Sequence, residues 1–270
     1  MSAALAFENV SYDYAGRPAL AGVSFAIAPG ERVALVGRNG AGKSTLLRLV
    51  TGLLRPATGS VSVGDWNAAE RRPDELARRV GSLFQHADQQ LFARTVAEDV
   101  AFGPRVTGIP APEAERRVQR ALESLGLMEV AAEHPYDLPP PWRKLAALAG
   151  ALALEPMLLV LDEPTAGLDR RARARVAEAL GKRADGGTAL LVVTHDLGFA
   201  AETLERALVL EQGRLARDAP LGPLLADGVW LERQGLVSPP LAQLSQSLGL
   251  PGGPVREAEV ADALIQRCST

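Results

Sequence analysis

One eight-residue run constrains this 270-residue chain more than any other feature. Residues 37–44 read Gly-Arg-Asn-Gly-Ala-Gly-Lys-Ser, which fits the pattern G-x-x-x-x-G-K-[ST]. Before the run lies Arg32–Val36, an apolar stretch typical of a strand buried on both faces, and after it Lys43–Val50 has a helical pattern that Gly52 should stop. Backbone N–H groups of such a loop, together with a helix N-terminus, surround anionic oxygens. The sequence therefore predicts a phosphate-binding loop.

The same run predicts that the chain binds a nucleotide together with Mg²⁺. Lys43 should reach the outer phosphates, and the hydroxyl of Ser44 is placed for the metal. The residues predicted to contact the nucleotide in this loop are Gly37, Asn39, Gly40, Ala41, Gly42, Lys43, Ser44 and Thr45. Of the 29 basic residues only Lys43, Lys144 and Lys182 are lysines. We expect position 43 to require lysine and not arginine, because a compact ammonium fits inside the loop and a guanidinium fork does not.

Two further groups complete a candidate hydrolysis site. The apolar strand at residues 157–161 ends in Asp162 and Glu163, which predicts one carboxylate for the Mg²⁺ shell and a second to polarise the attacking water. His195 follows another strand, residues 188–194, and should contact the terminal phosphate because ligands bind at strand ends in open parallel sheets. The alternatives are two solvated turn acids and a structural histidine.

Composition excludes several other classes of protein. A net charge of −3 provides no overall basic field to hold nucleic acid, so no nucleic-acid partner is expected. Cys268 has no partner for an internal disulfide, which excludes cysteine-based metal sites and fits a reducing cytoplasm. The N-terminus has no signal-peptide pattern, and the longest apolar segment is broken by Glu155 and Pro156. If a membrane is involved, a partner supplies it.

Alternation of strand and helix patterns predicts the fold class α/β with a largely parallel sheet, and the phosphate loop indicates a P-loop NTPase (RecA-like) core. We expect an N-terminal antiparallel β subdomain, an inserted α-helical subdomain at about residues 86–156 and a short C-terminal extension. The ATPase domain should span residues 1–235, and the extension, residues 236–270, should pack on it. A Pro/Gly break is expected at residues 251–254. A helix after the proline triplet should begin near Pro141 or Trp142.

Taken together, these motifs resemble the ATP-binding subunits of ABC transporters over about residues 7–219. The resemblance implies that Tyr14 stacks on adenine, with Tyr12 as the alternative. We expect the two tyrosines to face opposite sides of a strand, so that only one can stack. The resemblance also makes Gln85, at the end of the strand at residues 80–85, a contact for Mg²⁺ and the attacking water and a sensor of the membrane subunit.

The resemblance further implies that Glu163 is the catalytic carboxylate and that His195 is the switch histidine. The loop at residues 164–169 resembles the segment that meets a second ATPase subunit through Asp169. Residues 91–104 and 236–264 are similar to the ATPases of energy-coupling factor importers for vitamins or metal ions. That similarity implies a transmembrane coupling subunit, a substrate-binding membrane subunit and a position at the cytoplasmic face of the membrane. The transported substrate would contact the membrane subunits and not this chain.

One motif departs from the family. Its signature, Leu-Ser-Gly-Gly-Gln, caps the ATP of the opposite subunit, and the aligned residues predicted at the dimer interface are Leu138, Pro139, Pro140, Pro141 and Trp142. Proline has no N–H group, so several phosphate donors are lost. The resemblance therefore implies half of an asymmetric ATPase pair.

Two alternatives to the asymmetric ATPase remain open. One is a regulatory subunit that dimerises on ATP and hydrolyses little. The other is a soluble ABC protein of translation or DNA repair, which the single P-loop disfavours. If the chain is an ATPase subunit, the charged side chains of Arg143 and Lys144 could replace the lost backbone donors.

Overall fold

A computed structural model of the chain describes residues 3–233, 236, 238–250 and 255–268. The strands in this part are β1 Leu5–Tyr14, β2 Arg17–Ile27, β3 Arg32–Val36, β4 Thr58–Val63, β5 Trp66–Asn67, β6 Val80–Leu83, β7 Leu158–Asp162, β8 Ala189–Val193, β9 Arg206–Glu211 and β10 Arg214–Pro220. The α-helices are α1 Lys43–Val50, α2 Pro73–Leu76, α3 Val96–Val106, α4 Ala111–Leu125, α5 Pro140–Ala153, α6 Arg170–Asp185, α7 Leu197–Thr203, α8 Leu221–Ala226, α9 Gly228–Arg233, α10 Pro240–Ser247 and α11 Glu257–Cys268.

The larger sheet has six strands in the order β10-β9-β3-β8-β7-β6, and only the edge pair β10-β9 is antiparallel. Every residue of β7 and β8 is buried, as continuous apolar strands covered by helices on both faces require. The α/β class is thus confirmed. Because β3, β7 and β8 run parallel, the residues that follow them emerge at one edge of the sheet.

The smaller sheet is antiparallel, in the order β2-β1-β4-β5. Phe7 and Phe25 stack across its first hairpin with ring centroids 4.7 Å apart. The hairpin turns at Ala15 and Gly16, both at positive φ, where Asp13 accepts a hydrogen bond from the N–H of Gly16. This turn pairs Tyr14 with Arg17 and carries both residues to the rim of the loop at residues 37–44.

Helices α3, α4 and α5 follow one another between β6 and β7, and α5 buries most of its length in the core. Helix α5 begins at Pro140, one residue before the earliest predicted start. Pro139 caps it, and its carbonyl accepts the N–H groups of Trp142 and Arg143 at 2.9 and 3.2 Å. Pro140 and Pro141 therefore occupy the first turn, where a helix needs no N–H donor.

The C-terminal helices pack against the main sheet domain. Ala242 and Val255 belong to the same buried cluster as Trp230, and Arg256 donates hydrogen bonds to the carbonyls of Ala201 and Leu204. The predicted boundary at residue 235 and the predicted break at residues 251–254 lie outside the described residues. Within the described part, no helix combines the length and the apolar character needed to span a membrane.

Candidate active site

The loop at residues 37–44 is held by close backbone approaches that only glycine permits. Gly42 lies just before α1 at φ +106°, and a Cβ there would stand 2.6 Å from the carbonyl oxygen of Ala19. A Cβ at Gly37 would stand 2.3 Å from the carbonyl oxygen of Leu210. The loop is thus held between two strands and leads directly into the N-terminus of α1, where backbone N–H groups favour an anion.

Lys43 lies inside this loop. Its Nζ donates to the carbonyl oxygens of Gly37 and Arg38, at 2.6 and 3.1 Å. Burial lowers the pKa of Lys43, while the carboxylates of Asp162 and Glu163 act in the opposite direction. The two carboxylates favour the charged form of Lys43, and a half-buried ammonium in a phosphate-binding loop is suited to bind phosphate oxygens.

A cleft of about 410 Å³ opens between this loop and the edge of the main sheet. It brings together eleven of the residues predicted for the site: Tyr14, Asn39, Gly40, Gly42, Lys43, Ser44, Thr45, Gln85, Asp162, Glu163 and His195. Gly37 and Ala41 do not line it: Gly37 packs closely against the carbonyl of Leu210, and Ala41 is buried and lines a separate cavity beside Leu210.

Asp162 and Glu163 occupy the floor of the cleft at the end of β7. Oε1 of Glu163 accepts the backbone N–H of His195 at 2.8 Å, and Oε2 accepts the hydroxyl of Thr194 at 3.4 Å. The Nε2 atom of His195 lies 3.8 Å from Oε1. Burial raises the pKa of both carboxyl groups; the interaction with Lys43 opposes that rise at Asp162, and the interaction with His195 opposes it at Glu163. A buried carboxylate with a raised pKa is suited to general-base chemistry.

The donors available for a metal in this cleft are oxygen atoms from Ser44, Gln85 and Asp162. Gln85 follows a strand that ends at Leu83, two residues earlier than predicted, and its side chain is exposed in the cleft. Within the described ranges, no three His, Cys, Asp or Glu side chains cluster to hold a metal. The donor set fits Mg²⁺, which binds through one or two protein oxygens together with water and substrate phosphates.

Tyr14, and not Tyr12, lines the cleft. The Tyr14 hydroxyl accepts from Oγ1 of Thr45 at 3.5 Å and from Nη1 of Arg48 at 3.4 Å, whereas Tyr12 packs on the buried cluster. The prediction that the two tyrosines face opposite sides is wrong. Residues two apart on a strand share a face, and the two rings meet edge to face with centroids 5.0 Å apart.

The residues predicted at a dimer interface lie away from the cleft. Leu138 is only 8% exposed and packs in the core of its own chain. Pro139, Pro141, Trp142 and Asp169 line a second cavity of about 590 Å³, beside Gly167 and Arg171. Asp169 caps α6 by accepting the N–H of Ala172 at 2.7 Å. The structure thus brings the proline triplet and Asp169 together, and their contact with a second subunit stays a prediction.

Sequence reasoning missed Arg17, Pro18, Ala19 and Val193, all of which line the cleft. Arg17 was predictable from the turn between the first two strands, because a tight hairpin turn pairs Arg17 with Tyr14.

The side chains of Arg143 and Lys144 do not project from the start of α5 as replacement donors. Arg143 donates to the carbonyls of Leu138 and Tyr136, at 2.8 and 2.6 Å. Lys144 donates to the carbonyls of Glu163 and Ala166, at 3.1 and 2.7 Å. Both cations are therefore bound within their own chain, and a charge rescue of the signature would require them to leave these carbonyls.

Comparison with known proteins gives consistent matches. The family model described as ABC transporter matches residues 20–166. An ABC transporter ATP-binding protein of Streptomyces coelicolor is 45% identical over 212 residues, which cover 78% of this chain and 80% of the relative. An energy-coupling factor transporter ATP-binding protein of Symbiobacterium thermophilum is 40% identical over 252 residues, which cover 90% of this chain and 88% of the relative.

Solved structures agree with these relatives. CbiO1 of Clostridium perfringens, described as part of an ABC transporter complex, superposes with a TM-score of 0.76 at 29% identity, covering 92% of this chain and all of that one. An ATP-binding cassette solved as a dimer in a post-hydrolysis state, with ADP and phosphate bound, has a TM-score of 0.72 at 27% identity. That match covers 80% of this chain and 98% of the cassette.

Proposed function

We propose that this chain, which belongs to the family of ABC transporter ATP-binding subunits and is an ATPase coupled to transport, powers one particular class of transporter. That class is the energy-coupling factor importers, and the cargo is a metal ion or a vitamin. The observation that carries the hydrolytic role is the cleft shared by Lys43, Asp162, Glu163 and His195. Relatives named as energy-coupling factor ATPases, up to 40% identical and spanning 90% or more of this chain, support the transporter class.

Each residue of the cleft has a distinct task in this proposal. The loop N–H groups and Lys43 bind the outer phosphates, and Tyr14 stacks on the base. The carboxylate of Glu163 orients the attacking water and accepts its proton, for which its raised pKa is favourable. His195 contacts the terminal phosphate. Mg²⁺, held through Ser44, Gln85 and Asp162, would neutralise charge on the phosphate oxygens.

We assign the chain to one half of an asymmetric ATPase pair. Three consecutive prolines, Pro139–Pro141, remove the backbone donors with which the start of α5 would bind the partner's nucleotide. Loss of one preorganised donor at an oxyanion costs about 3 kcal/mol in other enzymes, and several are missing here. In this scheme the productive site combines this chain's loop with the partner's intact signature, and the reciprocal site is weak.

The assembly in this proposal includes membrane subunits. The chain would lie at the cytoplasmic face of the membrane, bound to a transmembrane coupling subunit beside a membrane subunit that binds the substrate. Co-purification of the chain with detergent-solubilised membrane proteins tests this assignment, because a soluble ABC protein would retain none of them. The identity of the recovered membrane subunit would also reveal the transported substrate.

Steady-state phosphate release tests the pairing. We expect little release by the isolated chain, robust release by the reconstituted pair, and its loss on Glu163→Gln. Robust release by the chain alone that Glu163→Gln abolishes would refute the asymmetric assignment. The proline triplet also favours a second candidate, a regulatory subunit that dimerises on ATP, and a reconstituted pair whose rate is insensitive to Glu163→Gln would support that candidate.

A further inference from the structure

Glu163 has a backbone conformation that needs support. It lies at φ +52°, a left-handed value that costs a residue with a Cβ about 1 kcal/mol. Each of its polar groups is bound to a different part of the chain. Its N–H donates to the carbonyl of Val193 at 2.8 Å, its carboxylate is held by His195 and Thr194, and its carbonyl oxygen accepts from Lys144.

Lys144 reaches this carbonyl from the second turn of α5. The Nζ atom lies 3.1 Å from the carbonyl oxygen of Glu163 and 2.7 Å from that of Ala166. These two carbonyls belong to the two ends of one turn, which is otherwise closed by a long hydrogen bond of 3.3 Å from the N–H of Ala166. A single ammonium thus bridges both ends of the turn that presents Glu163.

This contact is suited to fix geometry. Both hydrogen bonds have a charged donor, and Lys144 is half-buried, so they are stronger than bonds between neutral groups in water. Removal of the ammonium leaves the carbonyl of Glu163 with only the long bond from Ala166, and the left-handed residue can relax. Glu163 must hold a water in line with a phosphate, where an error of about 1 Å can reduce the rate by about a hundredfold.

We propose that Lys144 is a positioning residue for ATP hydrolysis, which holds the turn at residues 163–166 so that the carboxylate of Glu163 faces the cleft. The proposal rests on the role assigned to Glu163 under Proposed function. It also gives α5 a direct connection to the hydrolytic carboxylate of its own chain, through a side chain two residues after Trp142.

The test uses the reconstituted pair and three variants of this chain. In Lys144→Met the apolar stem remains and the ammonium is lost, whereas Lys144→Arg keeps a cation that can donate to two carbonyls. Lys182→Met is the matched control, because Lys182 lies exposed on α6 and pairs only locally with Glu178. The readouts are kcat and KM for phosphate release, the Kd for ATP and the thermal unfolding midpoint.

We expect Lys144→Met to lower kcat at least tenfold with KM and Kd within about twofold, and Lys144→Arg to recover most of kcat. Lys182→Met should match the unaltered chain. An unchanged kcat in Lys144→Met would overturn the proposal, and so would equal losses of kcat and ATP affinity, which indicate general damage. Glu163→Gln in the same assay distinguishes the catalytic role of Glu163 from the positioning role of Lys144. If Glu163→Gln leaves the rate of phosphate release unchanged, the proposed role of Glu163 is itself wrong.

Discussion

Lys43 is one of three lysines in a chain whose other basic side chains are all arginines. Its ammonium lies within 3.1 Å of two loop carbonyls, in a space bounded by glycines at positions where a Cβ would collide with neighbouring backbone. A point-like donor fits there, and a planar guanidinium is too large. The residue type follows from the room available.

We therefore expect Lys43→Arg to weaken ATP binding more than tenfold, although the positive charge is kept. Titration of the chain with a fluorescent ATP analogue measures the change. Lys182→Arg, on the exposed face of α6, is the matched control and should leave the Kd unchanged. Undiminished affinity in Lys43→Arg would contradict the steric argument.

Tyr14 and Tyr12 provide a second comparison between single residues. Tyr14 is 41% exposed at the rim of the cleft, and Tyr12 is packed on the core beside it. Stacking of a base on an aromatic ring is worth about 1–3 kcal/mol, so Tyr14→Ala should weaken ATP binding about 5- to 150-fold. Tyr14→Phe should bind almost normally.

The Tyr12→Ala variant controls for the tyrosine pair. It removes the ring that contacts Tyr14. We expect a clearly lower thermal unfolding midpoint and a smaller loss of ATP affinity than in Tyr14→Ala. If Tyr12→Ala weakened ATP binding as much as Tyr14→Ala, stacking by Tyr14 would not explain the result.

At the scale of secondary-structure elements, one carboxylate links helix α4 of the helical insert to helix α6 of the main sheet domain. Glu155, in the short connection between α5 and β7, binds Arg117 and Arg120 of α4 and Arg183 of α6 at 2.8 to 3.2 Å. Burial would raise the pKa of Glu155, but hydrogen bonds from Arg183 and Arg120 outweigh it and hold the pKa below its ordinary value of 4.5. The charged form is therefore the one that stabilises this junction.

A folded-state pKa below the unfolded value contributes stability above pH 4.5, and that stability is lost as the pH falls through the folded-state pKa. We expect Glu155→Gln to lower the free energy of unfolding by about 1–3 kcal/mol at pH 7. The difference between the two proteins should shrink below about pH 4.5. Urea unfolding at a series of pH values measures both effects.

The control for this prediction is Glu178→Gln. Glu178 pairs with Lys182 on the exposed surface of α6, and exposed pairs of this kind contribute little to stability. We expect no measurable change in that variant. A difference between Glu155→Gln and the unaltered chain that stayed constant from pH 7 to pH 3 would show that packing, and not charge, stabilises the junction.

At the scale of the whole molecule, the chain has two functional surfaces with unequal chemistry. The cleft brings together the residues that we propose bind phosphate and hydrolyse ATP, whereas the start of α5 carries prolines where the proposed reciprocal site would need backbone donors. The prediction at this scale is that Pro139→Ser, Pro140→Gly, Pro141→Gly and Trp142→Gln, introduced together, restore the reciprocal site.

The reciprocal site can be measured once the chain's own site is silenced by Glu163→Gln. In that background we expect the four substitutions to raise the remaining phosphate release of the pair at least tenfold, because they restore several donors at the partner's nucleotide. The pair carrying Glu163→Gln alone provides the baseline. No gain, in a variant that unfolds at a normal temperature, would mean that the prolines do not limit that site.

Much of the site was predictable because its parts are local. A strand, a glycine loop and a helix are contiguous in residues 32–50, and the acidic pair directly follows its strand. The carboxyl ends of parallel strands meet at one edge, so His195 could be placed beside Glu163 from order alone. The start of α5 and the end of β6 were misplaced by one or two residues, since element ends depend on capping geometry.

The sequence by itself determined the phosphate loop, the acidic pair and the loss of donors at the proline triplet. These features depend on covalent structure and on neighbours along the chain, and a proline lacks its N–H in any fold. Only the tertiary structure decided that Tyr14 lines the cleft and that Lys144 binds the carbonyl of Glu163, nineteen residues away. Such contacts follow from strand register and helix packing between distant segments, which local residue patterns do not encode.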